Sequence, residues 1–242
     1  MTLLAGTSGY AFKEWKGVFY PEGVKDNDAM LSYYASRFPT VEINNTFYRL
    51  PKESVLLEWA AAVPEQFTFA IKASQRITHY GRLKPESFDA LDYLLRTVRV
   101  LGPRLGPILF QLPPNMKLDI DRLRTFLDAL PRDLRFTVEF RHESWFHDDI
   151  FVALRERNVA MTMAEQEDFK SPIVATADWG YLRLHRFDYD DARLGDWAQC
   201  VEAQGWKDAY VYFKHDEGAG SGPPAADNFR RLAARAWRAL DL

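Results

Sequence analysis

Cysteine is almost absent from this sequence, in which Cys200 is the only one among 242 residues. A single thiol cannot form an intramolecular disulfide or a cysteine-rich metal cluster. Familiar motifs of metal and nucleophilic catalysis are missing too. No HExxH pattern occurs, and the segment GTSGY at residues 6–10 is not the GxSxG of hydrolases. We therefore expect Ser8 to belong to a tight glycine turn rather than to act as a nucleophile.

Long hydrophobic runs are also lacking. No apolar segment approaches the ~20 residues that a membrane-spanning helix needs. The first residues, MTLLAGTSGY, carry neither the basic start nor the apolar stretch of a secretory signal. We expect a cytoplasmic protein without a membrane partner.

There is no excess of positive charge, since the formal net charge is -3. This balance gives no general attraction to nucleic acid, although it permits a local basic pocket. Hydrophobic residues make up 47% and charged residues 27%, as in a folded globular protein. We interpret residues 1–242 as a single domain; the sequence does not indicate its oligomeric state.

Short apolar segments alternate with segments of helical spacing along the whole chain. In one of the latter, Phe88, Leu91 and Leu95 fall on one helical face. Only the segment around Pro172 lacks a clear period, so the sixth helix is predicted to be short or missing. Eight strand and helix units in this length favour an α/β fold, a single (β/α)8 TIM barrel, over an open sheet.

Within the predicted strands, large apolar residues alternate with small or polar ones. The large set, for example Phe69 and Ile71, should pack against the helices, and the other set should line the barrel interior. The charged members of the interior set come late in their strands, where such barrels place their active sites. Together with the neutral Gln111, these residues are Glu42, Lys72, Glu139, Arg141, Arg183 and His185.

Charge counting suggests a ligand for this cluster. Its two glutamates contribute -2 and its lysine and two arginines +3, so the sum is +1 with His185 neutral. An anionic ligand, phosphate or carboxylate, would balance this charge, and Arg141 and Arg183 suit bidentate binding of such a group. Glu42 and Glu139 are then candidate general acid and base, with His185 as a proton shuttle. A structural ion-pair network is the alternative.

Three other chemistries compete with this hypothesis. Glu42, Glu139 and His185 are acceptable metal ligands, which leaves a metal-dependent phosphodiester or nucleic-acid hydrolase open, but three nearby cations would repel a divalent ion. Paired carboxylates also suit glycoside hydrolysis. Lys72 is a candidate for a Schiff base, but we expect flanking carboxylates to keep it protonated. We predict that the protein binds neither a metal nor a cofactor. Its expected partner is a small anion rather than nucleic acid. A non-catalytic binding protein remains an alternative.

Two loop features add to the predicted site. The glycine-rich segment 218–224 follows the last strand, where backbone amides often bind phosphate, although glycine runs are also common in linkers. Aromatic residues follow several strands and are predicted to cover the barrel mouth or to stack on a planar ligand. They include Tyr10, Phe12, Trp15, Phe47, Tyr48, His79, Tyr80, Trp145 and Phe146.

The ordered motifs resemble one family along nearly the whole chain. They are GTSGY, VEINNTFYRLP, FAIKASQRITH, LGPILFQLPP, VEFRHESW, YLRLH and YVYF. The chain is similar to the YecE-like family, a family of unknown function (DUF72) expected to form TIM barrels. The resemblance therefore implies a barrel but no particular activity.

The resemblance also marks positions within the motifs. By it, Asn45, Tyr48 and Trp145 join Lys72, Gln111, Arg141 and Arg183 as candidate substrate-binding residues. The chain departs from the family pattern at Lys214 and His215, where the family tends to have two asparagines, and at Arg186, where LHR replaces LHG.

Overall fold

A computed structural model describes residues 1–214 and 222–238, with side chains up to residue 234. Residues 218–221 of the glycine-rich segment lie outside the described residues. The strands are β1 (Thr2–Ser8), β2 (Thr40–Ile43), β3 (Thr68–Lys72), β4 (Leu105–Gln111), β5 (Phe136–Glu139), β6 (Ala160–Met161), β7 (Met163–Gln166), β8 (Phe169–Lys170), β9 (Gly180–Leu184) and β10 (Asp208–Phe213).

Helices alternate with most of these strands. They are α1 (Asn27–Arg37), α2 (Glu53–Ala62), α3 (Phe88–Val98), α4 (Ile120–Asp128), α5 (Asp148–Glu156), α6 (Asp191–Ala203) and α7 (Gly222–Arg238). Short single turns of helix follow β1, β2, β3 and β5. In the described ranges, no helix combines the length and the apolar character that a membrane crossing requires.

The strands form one sheet in the order β6-β5-β4-β3-β2-β1-β10-β9-β7-β8. All pairs are parallel except β7 with β8. The sheet is strongly curled, because Arg183 on β9 reaches Glu139 on β5, far along the strand order. The protein is thus an α/β fold with a mostly parallel, curled sheet, whose concave face brings side chains from distant strands together.

The two faces of the sheet differ as the alternation predicts. The convex face carries large apolar residues such as Phe69, Ile71 and Val138, which belong to the main hydrophobic core with the helices. The concave face carries a second, smaller apolar cluster that includes Tyr181 and Tyr212. Polar residues lie beyond that cluster, toward the carboxyl ends of the strands.

Local signals set the ends of several helices. Asp119 caps α4 by accepting a hydrogen bond from the Arg122 amide at 3.0 Å, as aspartate commonly does before a first helical turn. Gly102 has a φ of 54° and ends the helical stretch after α3, a conformation that favours glycine.

The sixth unit departs from regular alternation. Thr162 alone separates β6 from β7, and β7 then turns into a short hairpin with β8. No helix lies between β8 and β9 in this fully described stretch. The sequence prediction of a short or missing sixth helix is thus confirmed, and the helix is missing.

Close packing of β1 explains a glycine near the site. A methyl group built on Gly6 would lie 2.1 Å from the backbone oxygen of Thr40 and 2.8 Å from the hydroxyl of Tyr34. That hydroxyl accepts a hydrogen bond from the Thr7 amide at 2.8 Å, which ties α1 to β1. Only glycine fits at this position, because the backbone oxygen cannot move aside.

We predict that Gly6→Ala lowers the free energy of unfolding by about 3 kcal/mol, because the overlap forces the strands apart. Gly195→Ala is the matched control: it lies in α6 with open space around it and should stabilise by about 0.5–1 kcal/mol through helix propensity. Urea unfolding of both variants measures the difference. Equal effects of the two substitutions would contradict this packing.

Candidate functional site

Arg183 lies at the centre of the polar cluster at the carboxyl ends of the strands, and only 4% of its surface is exposed. Its Nε and Nη2 atoms donate to Glu42 at 3.0 Å each, and its Nη1 atom donates to Glu139 at 2.7 Å. Both carboxylates are fully buried. One guanidinium, on β9, therefore bridges two buried anions, on β2 and β5.

Glu42 is surrounded by donors. In addition to Arg183, it accepts hydrogen bonds from the Tyr181 hydroxyl at 2.7 Å, the Ser8 hydroxyl at 2.7 Å and Asn44 Nδ2 at 3.1 Å. Asn44 turns its amide nitrogen to the carboxylate, so its Oδ1 points away and has no hydrogen-bond partner among the described residues. The lone pairs of Glu42 are thus saturated within the protein.

Glu139 is held in the same manner by three cationic or polar groups. Arg141 Nε forms an ion pair with its Oε1 atom, and Gln111 Nε2 donates to Oε2 at 3.1 Å, beside the bond from Arg183. Four charges therefore cancel within the network: Glu42 and Glu139 against Arg183 and Arg141.

The network determines the ionisation of both acids. Burial alone would raise their pKa values, but the charge of Arg183 and the donated hydrogen bonds outweigh it. The pKa of Glu42 lies below its usual range, and that of Glu139 falls to about 2 with further help from Arg141. Both residues are carboxylates at neutral pH.

Ser8 connects Glu42 to His185, since its hydroxyl also lies 2.9 Å from His185 Nε2. A hydroxyl has one proton, and Ser8 gives it to Glu42, so Nε2 must carry the proton that bonds to Ser8. His185 is then the Nε2–H tautomer, with a lone pair on Nδ1. Burial and the charge of Arg183 hold the pKa of His185 well below its usual value, which keeps the ring neutral.

Lys72 differs from the other cations of the cluster. Its Nζ lies 4.5 Å above the ring of Phe47 and makes no hydrogen bond or ion pair with any described residue. Burial and the charges of Arg183 and Arg141 lower the pKa of Lys72 to about 8, against the opposing effect of Glu42 and Glu139. The two glutamates raise the pKa of Lys72 as expected, but burial and the two arginines outweigh them, so the net shift is downward while most of the amine stays protonated at pH 7.

A cavity of about 600 Å³ opens above the network. Among the described residues, its lining contains three cationic residues and no carboxylate, since Glu42 and Glu139 lie beneath it. The lining includes Ser8, Tyr10, Phe12, Asn44, Asn45, Phe47, Tyr48, Lys72, Arg183, His185 and Lys214.

The predicted site residues fall into two groups. Asn45, Tyr48, Lys72, Arg183 and His185 line the cavity. Glu42, Glu139, Gln111 and Arg141 belong to the ion-pair network instead.

Trp145 is a predicted binding residue that belongs to neither group. Its side chain is fully buried, stacks on Phe140 with ring centroids 4.9 Å apart, and donates to the Met116 carbonyl at 2.7 Å. In the structure, Trp145 therefore packs in the core and does not line the cavity.

Sequence reasoning missed Ser8, Tyr181 and Lys214 as site residues. Strand alternation places Tyr181 on the interior face. Its hydrogen bond to Glu42 could not be predicted, because the two residues are 139 positions apart in the sequence. Ser8 does sit before a glycine of positive φ, as expected for a tight turn, and its network role depends on His185 from another strand.

The metal alternative has a geometric obstacle. The Arg183 guanidinium occupies the position between Glu42 and Glu139 that an ion would need. In residues 1–214 and 222–234, no three histidine, cysteine, aspartate or glutamate side chains converge as metal ligands do.

The fold and the site together define an α/β protein with a curled, mostly parallel sheet and a cationic cavity at the carboxyl ends of its strands. Residues 4–241 match the profile of the family described as "Protein of unknown function DUF72", and the chain belongs to that family. The resemblance of the motifs to the YecE-like family is thereby confirmed.

Relatives of this chain are themselves without an assigned activity in their names. UPF0759 protein YecE from Escherichia coli K12 is 34% identical over 128 residues, which cover 52% of this chain and 47% of that relative. The aligned part thus spans about half of the relative's length. UPF0759 protein YunF from Bacillus subtilis 168 is 25% identical over 84% of both chains.

Solved structures of DUF72 family proteins share the fold. One from Thermotoga maritima MSB8 has a TM-score of 0.76 and 22% identity, covering 98% of this chain and all of that one. Another from Enterococcus faecalis V583 has a TM-score of 0.75 and 19% identity over 98% of both chains. These likenesses establish the fold alone.

We predict that Arg183→Met lowers the free energy of unfolding by about 3–5 kcal/mol, because it leaves two buried carboxylates without their shared partner. Arg99→Met is the control, since the Arg99–Asp133 ion pair is bidentate but exposed, and its loss should change little. Denaturant unfolding at pH 7 measures both. Similar small losses would contradict the central role of Arg183.

Acid titration tests the depressed pKa of Glu139. Because its folded pKa lies below the unfolded value, its ionisation stabilises the protein above about pH 4.5 and ceases to do so as the pH falls toward 2. The stability difference between wild type and Glu139→Gln, on the order of 3 kcal/mol at pH 7, should therefore shrink across this window. A difference independent of pH would contradict the assignment.

Proposed function

We propose that this protein is an enzyme that binds a small anionic molecule in the cavity, with His185 as the group that moves a proton. The observation that carries the proposal is the charge of the cavity lining: in the part of the chain that the structure describes, it contains Lys72, Arg183 and Lys214 and no carboxylate. The substrate class is a phosphate or carboxylate, and the expected partner is this small molecule rather than nucleic acid.

The charge balance supports an anion. Since Glu42, Glu139, Arg183 and Arg141 cancel one another, Lys72 is a further positive charge at the cavity that no described acid pairs with, and Lys214 lines the same cavity. Low-dielectric walls strengthen the attraction of such cations for an anion. The lowered pKa of Lys72 also supports an anionic ligand, because a bound anion would offset the repulsion between the Lys72 ammonium and Arg183.

Acid and base roles divide differently among the predicted catalytic residues. Glu42 and Glu139 are buried beneath the cavity with depressed pKa values, so they suit positioning of Arg183 and, through Ser8, of His185. His185 lines the cavity and is neutral, so its Nδ1 lone pair suits a general base. A base that is neutral near pH 7 needs no prior deprotonation.

Aromatic residues give the cavity a second recognition element. Phe47 and Tyr48 contact each other edge to face, with ring centroids 5.1 Å apart, and Tyr48 is 75% exposed. Such rings would pack against the apolar or planar part of a ligand whose charged end reaches the lysines. Cytoplasmic location remains part of the proposal, in line with the single cysteine.

We also propose that the sheet closes into a (β/α)8 barrel. Strands β6 and β7 are separated only by Thr162, whose amide donates to Val138 of β5 at 2.9 Å. Taken as one strand, they are bonded to β5 on one side and β9 on the other. Such closure would place the cavity at the barrel mouth, where active sites of this fold lie.

The proposal predicts stabilisation by small anions. Phosphate and carboxylate compounds, compared with chloride at equal ionic strength, should raise the Tm; at one hundred times its Kd a ligand adds about 2.7 kcal/mol. For a chain of this size that is roughly 5–10 °C. The absence of any such rise over a broad set of anions would overturn the proposal.

Lys214→Met should weaken the binding of a stabilising anion about tenfold, because one of the cavity cations is removed. Lys207→Met is the control, since Lys207 pairs with Asp178 on the exposed surface at the opposite end of the strands. Calorimetric titration gives both Kd values. Equal losses in the two variants would place the anion outside the cavity.

A further inference from the structure

Lys72 is the cation of the site whose surroundings fit a nucleophile better than a salt-bridge partner. Its Nζ makes no ion pair within 4.0 Å to any acid of the described chain, although two glutamates lie nearby in the network. Arg183 holds both of those acids and so leaves the amine of Lys72 uncommitted. The amine instead faces the cavity above the ring of Phe47.

We infer that Lys72 forms an imine with the carbonyl group of an anionic substrate, such as a 2-oxo acid, bound in the cavity. This inference rests on the proposed function, because the anionic end of the substrate would be held by Arg183 and Lys214. The geometry places an amine, two further cations and a neutral histidine around one space of about 600 Å³.

The chemistry balances without a redox partner. The lone pair of the neutral amine adds to the carbonyl carbon and forms the C–N bond. The carbonyl oxygen then leaves as water with the two hydrogens of the amine, and a C=N bond remains. His185 is suited to carry the proton between nitrogen and oxygen, since its ring is neutral and lines the same cavity.

Electrostatics favours the neutral amine. Burial, Arg183 and Arg141 lower the pKa of Lys72 to about 8, so about one tenth of the amine is neutral at pH 7. An ordinary lysine with pKa ~10.4 has roughly 200-fold less neutral amine at that pH. Apolar surroundings and a neighbouring cation are the two known means of activating a lysine nucleophile.

Charged groups on several elements face this amine. Glu42 and Glu139 raise its pKa, Arg183 and Arg141 lower it, and the charge of Lys72 in turn lowers the pKa values of His79 and His185. The lowering influences prevail because burial of Lys72 is the largest of them and the charge of Arg183 comes next, and both outweigh the two glutamates. Lys214 lines the same cavity on the side of β10.

Reductive trapping tests the inference on the whole chain. Wild-type protein is incubated with sodium cyanoborohydride and pyruvate, glyoxylate, acetone or lactate, and the labelled lysines are mapped by peptide mass spectrometry. Cyanoborohydride supplies the hydride that converts an imine into a stable secondary amine. Acetone has the carbonyl without the charge, and lactate has the charge without the carbonyl.

The expected result is one dominant adduct at Lys72 with the two oxo acids, at least tenfold above any surface lysine. Acetone should label it weakly and lactate not at all. The rate should rise with pH through about 8, as the amine loses its proton. Lys72→Arg, which keeps the charge but cannot form the imine, should abolish the adduct, and Lys207→Met should not.

Labelling spread over surface lysines without enrichment at Lys72 would overturn the inference. This outcome is distinguishable from failure of the proposed function, because lactate binding to the wild type is measured in parallel. If lactate binds but pyruvate forms no adduct, the imine is ruled out and the anion site remains, with Lys72 acting only as a cation. Absence of both would remove the anion site as well. Because the adduct is mapped on the wild-type protein, the result does not depend on whether any variant folds.

Discussion

The bridge from Glu42 through Arg183 to Glu139 is the interaction on which this site depends. It crosses the concave face of the curled sheet and joins strands that are far apart in the sheet order. Buried ion pairs seldom improve stability over apolar packing. Here the bridge fixes the ionisation of two acids, and through them the positions of the groups that line the cavity.

Two properties of the cavity follow from this bridge. Glu42 accepts the proton of Ser8, which sets the tautomer of His185 and leaves Nδ1 with a lone pair. Both carboxylates are held by Arg183 and Arg141, so no described acid pairs with Lys72, and its burial together with the arginine charges lowers its pKa. A buried network with zero net charge thus supports a cavity whose walls are positive.

Much of this architecture could be predicted from the sequence, because strand alternation is a local property. The periodicity placed Val138 in the core and Glu139 on the opposite face, and that assignment alone gathered the network residues into one cluster. The missing sixth helix was visible in the irregular segment around Pro172. What could not be predicted was which cation pairs with which acid. The pairing depends on which side chains meet across the concave face of the sheet, so the net downward shift of the Lys72 pKa was not foreseen. The burial of Trp145 depends on tertiary packing and was not foreseen either.

The most direct test of an anion cavity is anomalous diffraction from crystals soaked in selenate. We predict a selenium peak inside the cavity, within hydrogen-bonding reach of at least two of Lys72, Arg183 and Lys214, and a weaker peak in crystals of Lys214→Met. Selenate bound only to exposed arginines, with the cavity empty in wild-type crystals, would contradict it.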